Sequence, residues 1–280
     1  MNLLQAIVLG IVQGLTEFLP VSSTAHLRIV PALFGWHFYG GTTNDPGAPF
    51  TAIVQLGTTA AIVIYFWREL LHVSVAWVRG LYDKSVRGSL ECRLGWYLIL
   101  ATVPVGIFGL VFSKQIETGA RNLWLIASTL IALAVVLFAA EKVGKRDRVE
   151  EEINTRDAVV VGTIQALSLV PGASRSGVTI TAGLFRGLTR EAAARFSFLL
   201  SIPAVVLSGA YEAVHSTGDT PGVGLTGVAL IFAFVVGLAS IAWLMRWLTR
   251  HSTFVFIFYR IGLGVLLIVL LSTGVLDATA

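Results

Sequence analysis

G-I-V-Q-G-L-T-E-F-L-P-V-S-S, from Gly10 to Ser23, and G-T-I-Q-A-L-S-L-V-P-G-A-S-R, from Gly162 to Arg175, are two versions of one pattern. Gln13 matches Gln165 and Pro20 matches Pro171, with one residue dropped before the second proline. Self-similarity of this kind marks a repeated architectural unit. Each copy lies in an apolar stretch, 3–33 or 158–185, that Gln, Glu, Pro and Ser residues break before it can span a membrane. A span takes about 20 helical residues to cross ~30 Å of hydrocarbon. Each copy is followed by an unbroken apolar run, beginning near Phe50 and near Phe196. Gly, Leu and Val match by chance in any pair of membrane helices; the shared Gln and Pro do not.

Composition fixes the solvent. The chain has 280 residues, 55% hydrophobic and only 13% charged, where soluble domains carry about 25% charged residues. Mean hydropathy is +0.81. Unbroken apolar runs fall near 50–67, 95–113, 122–140, 196–214, 224–245 and 254–273. The expected fold is an all-α polytopic membrane protein, with about six transmembrane helices and two re-entrant helical hairpins. A single integral membrane domain covers 1–280, with one repeat over about 1–140 and a second over about 155–273. No Lys or Arg precedes the first apolar run, which argues against a removable signal peptide. Cys92 is the single cysteine and is read as a member of a charged loop, so neither an internal disulfide nor a cysteine-based zinc site is available.

A net charge of +4 and a pI of about 9.5 would suggest nucleic acid in a soluble protein. In a membrane protein they report orientation, because Lys and Arg mark cytoplasmic connections. Arg68, Arg79, Lys84, Arg87 and Arg93 share one connection, Lys142, Lys145, Arg146, Arg148 and Arg156 a second, and Arg246 and Arg250 a third. The connections at 36–49 and 215–223 have none. Six spans satisfy this pattern only if both broken stretches enter and leave on one side, the first from outside and the second from the cytoplasm. Both termini then lie outside. The copies become inverted repeats whose broken helices meet near the bilayer midplane around one polar site.

The first hairpin puts Gln13 and Glu17 on one helix face, four residues apart. Pro20 breaks that helix, Ser22 or Ser23 can cap the returning one, and His26 follows three or four residues later. A carboxylate within the membrane is expensive unless paired or hydrated, so Glu17 is read as functional. The hydroxyls of Ser22, Ser23 and Thr24 also suit plain capping or back-bonding, and His26 also suits a packed histidine. The second hairpin, P-G-A-S-R-S-G-V-T from Pro171 to Thr179, turns at Pro-Gly and opens a helix whose free N–H groups favour an anion. Arg175 adds a fork suited to phosphate oxygens, and Ser174, Ser176 and Thr179 add hydroxyls. A lone arginine here could instead reach the headgroups. One loop thus offers nucleophilic and acid–base groups and the other anion recognition, which points to a phosphate-bearing substrate.

E-F-L-P-V-S-S-T-A-H at 17–26 and P-G-A-S-R-S-G-V-T at 171–179 resemble the two signatures of the bacterial undecaprenyl-pyrophosphate phosphatases of the bacitracin-resistance type. The resemblance runs along the whole chain, through Q-L-G at 55–57, F-W-R at 66–68 and F-S-F-L-L-S-I-P at 196–203. It implies removal of the terminal phosphate of undecaprenyl pyrophosphate at the outer face of the bacterial inner membrane, recycling the lipid carrier for cell-wall synthesis. It also implies a divalent cation, Mg²⁺ or Ca²⁺, with Glu17 as a ligand. The active residues it implies are Glu17, Ser23, His26, Ser174, Arg175 and Thr179. Many members have Glu where this chain has Gln13, so a two-carboxylate metal site is in question here. Ser23, activated by His26 or Glu17, could attack the phosphorus, or a water polarised by Glu17 and the metal could do so.

The rival reading is a lipid-phosphate transporter or flippase, since inverted repeats with broken helices are a transporter architecture. A flippase needs the arginine clamp but not the set Glu17, Ser23 and His26, and that difference favours an enzyme. Expected partners are the lipid substrate and membrane lipid, without nucleic acid; a homodimer is compatible with the sequence.

Overall fold

The computed structural model describes residues 1–38, 45–112, 122–215 and 222–278. Most of the lysine- and arginine-free connections, and the end of the run expected at 95–113, lie outside the described residues. Eleven α-helices lie among the described residues. The first hairpin is α1 (Leu3–Thr16) and α2 (Ser23–Leu33), followed by α3 (Gly47–Tyr65), α4 (Trp67–Tyr82), α5 (Leu90–Val111) and α6 (Leu123–Val143). The second hairpin is α7 (Thr155–Gln165) and α8 (Arg175–Phe185), followed by α9 (Arg190–His215), α10 (Val223–Leu248) and α11 (Phe254–Ser272).

Local chemistry sets these boundaries. Asn2 caps α1 and exchanges hydrogen bonds with Gln5, and Asn154 does the same for α7 with Asp157. Neither α1, with 14 residues, nor α7, with 11, can cross the bilayer. Five helices are long and apolar enough to do so: α5, α6, α9, α10 and α11. The run near 50–67 is α3, which meets α4 at a 77° bend and makes a sixth span only if the pair is counted as one. The 67–82 segment, read from sequence as part of a charged connection, is therefore a helix. Its exposed face carries Trp67, Leu71, Val75, Val78 and Tyr82 at helical spacing.

The reading of Cys92 as a loop residue is also corrected. Cys92 stands in the first turn of α5, buried, where Gly80 of α4 leaves room for its sulfur. The long connection had hidden one helix, α4, and the first turns of α5, whose packing needs that small residue.

The short helices pack by close backbone approach. Gly14 of α1 lies against Ala233, Val236 and Gly237 of α10, where a Cβ would meet the Gly237 nitrogen at 2.8 Å. Gly162 of α7 lies against Ala101 of α5 in the same manner. Small residues at such contacts are how helices associate in lipid, where burial of apolar surface gives no drive. The first short helix thus leans on α10 as the second leans on α5.

Where the basic connections converge, carboxylates anchor them. Glu141, buried at the end of α6, accepts from Arg146, Arg190 and Thr253. Asp157, fully buried at the start of α7, accepts from Arg148 and Arg186. Arg195 of α9 pairs with Glu69 at 2.5 Å and Glu150 at 2.9 Å, with its guanidinium 5.7 Å from the centre of the Phe66 ring. Arg146 and Arg148, which mark orientation in the sequence, join Arg186, Arg190 and Arg195 in tying α4, α6, α7 and α9 together.

Burial, partly offset by Arg195 and reinforced by Glu69, pushes the Glu150 carboxyl up to about 7. A carboxyl raised by folding stabilises the fold while protonated; that contribution is complete below its unfolded value and is lost as pH rises through about 7. Glu150→Gln is therefore expected to melt a few degrees above the parent protein near pH ~8 and together with it near pH ~4. Equal melting temperatures near pH ~8 would contradict this account.

Candidate functional site

Between α1 and α2, and again between α7 and α8, the chain turns through a serine with positive φ. Ser22 has φ 76 and ψ 99, and its Oγ accepts from the Ala25 N–H. Ser174 has φ 68 and ψ 111, and its Oγ accepts from the Gly177 N–H. These matching caps register the two patterns without the gap inferred from sequence, so that Ser23 corresponds to Arg175. Of the two candidate caps, Ser22 does the capping. Each turn is strained by about 1–3 kcal/mol, which surrounding contacts must offset.

The first residue of each returning helix then points at Glu17. Ser23 Oγ donates to Glu17 Oε2 at 2.6 Å, and Arg175 Nη2 donates to Oε1 at 2.6 Å. Gln13, one turn before Glu17 on α1, donates to Oε2 at 2.9 Å, and Gln55 of α3 donates to Oε1 at 3.2 Å. Arg175 also donates to the Ser201 carbonyl at 3.3 Å. Among the described residues Glu17 is thus a buried carboxylate with four donors, two per oxygen. A small cleft between α1, α3 and α9 reaches it, bordered by Thr58, Thr59, Ile62, Ser201 and Val205.

The other expected residues take different parts. Ser176 Oγ donates to the Leu19 carbonyl at 3.1 Å and so joins the two tips. Thr179, expected as an anion donor, is buried, within 2.7 Å of the Arg175 carbonyl and 2.6 Å of Ser197 Oγ. Its hydroxyl braces the helix on α9. The Ser174 hydroxyl is likewise engaged as a cap and lies 3.2 Å from Ser176 Oγ. Among the described residues His26 hydrogen-bonds to neither Ser23 nor Glu17; its ring lies 2.7 Å from the Ser22 carbonyl and 2.6 Å from the Tyr259 hydroxyl.

Two participants carry no signal in the local sequence patterns. Gln55 lies within Q-L-G, a stretch that by itself suggests no chemistry. Arg260, wholly buried in α11, donates to the Pro20 carbonyl at 3.3 Å, to Gly172 at 3.1 Å, to Ala173 at 3.2 Å and to Leu130 at 3.3 Å. A charge within an apolar span signals a constrained position, and that rule, applied to Glu17, also fits Arg260. The guanidinium further explains Gly177, where a Cβ would meet Arg260 Nη1 at 2.7 Å.

A chain of this build is a polytopic membrane protein whose two broken helices meet tip to tip around a carboxylate, a serine and an arginine. It belongs to the family described as bacitracin resistance protein BacA, which it matches over residues 6–266. It is 50% identical over 279 residues to a protein of Myxococcus xanthus named undecaprenyl-diphosphatase, covering 99% of this chain and 92% of that one. Proteins of the same name from Chloroherpeton thalassium and Mycolicibacterium smegmatis are 49% and 50% identical, each match covering 99% of this chain and 100% of the relative.

Replacing Arg260 by Met leaves four tip and helix carbonyls without this donor, each at a cost of about 1–3 kcal/mol where no water reaches. Arg260→Met is expected to lower the melting temperature by more than about 5 °C, followed by thiol labelling of Cys92, which is buried in the fold. An unchanged melting curve would show that the tips do not depend on it.

Proposed function

We propose that this chain hydrolyses undecaprenyl pyrophosphate to undecaprenyl phosphate and inorganic phosphate. The observation that carries the reading is the 2.6 Å hydrogen bond from Ser23 Oγ to Glu17, with Arg175 on the same carboxylate. The shared name of relatives about half identical over nearly their whole length supports the substrate.

In the proposed reaction Arg175 and the N–H groups opening α8 hold the diphosphate, the main need in phosphoryl transfer. Ser23 Oγ attacks the terminal phosphorus while its proton passes to Glu17 Oε2, and the bond to the bridging oxygen breaks, releasing undecaprenyl phosphate. Water then attacks the phosphoserine, the bond from phosphorus to Ser23 Oγ breaks as Glu17 returns the proton it took to that oxygen, and inorganic phosphate leaves with both of the water's protons. The direct contact favours Glu17 over His26 as the group activating Ser23.

A divalent cation fits this site, though among the described residues no group of three His, Cys, Asp or Glu forms a cage for one. Gln13 Oε1 is buried without a hydrogen-bond partner among the described residues, one amide away from Glu17. Hard cations take oxygen ligands, and Mg²⁺ is commonly held by one or two carboxylates together with substrate phosphates. Glu17 and Gln13 Oε1 would hold Mg²⁺ or Ca²⁺, and the ion would supply charge neutralisation on the diphosphate.

The basic connections support an orientation in the inner membrane with the first hairpin entering from outside, so that the site serves the outer face. Recycling the lipid carrier for cell-wall synthesis, and the bacitracin resistance of the family's description, follow from that placement. The two hairpins, with their matching serine caps, are read as inverted repeats of one domain. A flippase is disfavoured because it has no use for a serine bonded to a carboxylate.

Purified protein in detergent, given undecaprenyl pyrophosphate and Mg²⁺, is expected to release inorganic phosphate; no release would sink the reading. Glu17→Gln and Arg175→Lys should each lower kcat by about 100-fold or more. In a quenched single turnover on substrate labelled in its terminal phosphate, the label should appear on Ser23. Unlabelled protein together with an active Ser23→Ala variant would rule out the covalent step.

A further inference from the structure

Among the described residues, the His26 ring bonds only to Ser22 and Tyr259. Its Nδ1 lies 2.7 Å from the Ser22 carbonyl, which can only accept, so Nδ1 carries a proton. In the neutral ring Nε2 then presents a lone pair, and the Tyr259 hydroxyl lies 2.6 Å from it. The two rings stack, with centroids 5.6 Å apart and planes 8° from parallel.

We propose that Tyr259 is a positioning residue for the reaction. Its hydroxyl donates to His26 Nε2, holds the imidazole in the Nδ1–H form, and through that ring fixes the Ser22 turn that aims Ser23 at Glu17. The inference rests on the reading of Ser23 as nucleophile.

Comparison of the two turns carries the proposal. In the second hairpin the Ser174 carbonyl accepts from the Val178 N–H at 2.9 Å, an ordinary helical bond. In the first, the equivalent bond from the His26 N–H to the Ser22 carbonyl is stretched to 3.3 Å. The imidazole supplies the shorter bond that the main chain lacks, to the same oxygen, across the same strained φ. Val178 stands where His26 stands in the other hairpin, and that turn presents Arg175, whose long side chain adjusts its own aim. Ser23 has one short torsion and depends on its backbone for aim. Tyr259 is 47% exposed, so it is not held in place by the core. Phenylalanine would keep the stacking and lose only the hydroxyl. Tyr259 also precedes Arg260, so adjacent residues of α11 support both tips.

The test uses full-length protein labelled with ¹⁵N-histidine, the His26 signals being identified by their loss in His26→Gln. The parent protein should show a neutral Nδ1–H ring, and Tyr259→Phe a shift toward a tautomer mixture. In phosphate release, Tyr259→Phe should lower kcat about three- to tenfold, the range of one positioning hydrogen bond, with KM within about twofold. In the His26→Gln background the same substitution should have no further effect on kcat. An Nε2–H ring in the parent, ring signals unchanged by Tyr259→Phe, or additive losses in the double variant would each overturn the proposal. So would a shifted tautomer with full kcat. If the parent releases no phosphate, the reading of the reaction fails instead, and the ring signals still decide whether Tyr259 sets the tautomer.

Discussion

Arg260 is the constraint on which the rest of the interior depends. Breaking two helices inside a membrane frees carbonyls that no water can satisfy, and each one left bare costs kilocalories. Pro20 in one tip and Gly172 and Ala173 in the other point such carbonyls at a single guanidinium from α11. The arginine in turn needs them, because a charge taken out of water is costly unless dipoles replace its hydration. Neither the tips nor the arginine is stable without the other, and Leu130 of α6 completes the set. The arrangement fixes the distance between the tips, and so lets Arg175 and Ser23 reach one carboxylate.

The tips also bond directly, through Ser176 to the Leu19 carbonyl. Each turns on a serine in a backbone region that favours glycine. Serine is used there because its Oγ caps the helix that the turn begins. Glycine would relieve strain and lose the cap. The strain is stored beside Ser23 and Arg175 and is faced by the Arg260 guanidinium, the His26 ring and the engaged hydroxyls of the second loop.

The sequence made much of this legible. Hydropathy located the spanning helices, and the repeated Gln and Pro located both hairpins, because an apolar run interrupted by polar residues cannot continue across a membrane as one helix. Glu17, Ser23 and Arg175 stood out as costly or reactive groups at helix breaks, and they meet. The 67–82 helix was hidden because its charges interrupt a hydropathy average without interrupting the helix. The hydroxyls of Ser174, Ser176 and Thr179 were assigned to a ligand because spacing shows what lies near, not what each group already bonds. Arg260 was open to the rule for a charge in an apolar span, but what it holds was hidden, like the partner of Tyr259, by distance: these partners lie more than 80 residues away in sequence.

At rest, Glu17 and Arg175 neutralise each other where little water reaches, so neither is an exposed charge. In the proposed reaction an arriving diphosphate competes with Glu17 for the Arg175 fork and, carrying more charge, has the stronger claim on it. In that reaction Glu17 then loses its closest cation, and the proton nearest to hand is that of Ser23 Oγ, 2.6 Å from Oε2. Substrate binding and activation of the nucleophile become one exchange of partners, which requires the two to share a carboxylate. In that reading the second loop does more than hold the substrate, since its arginine restrains Glu17 until the diphosphate takes the carboxylate's place.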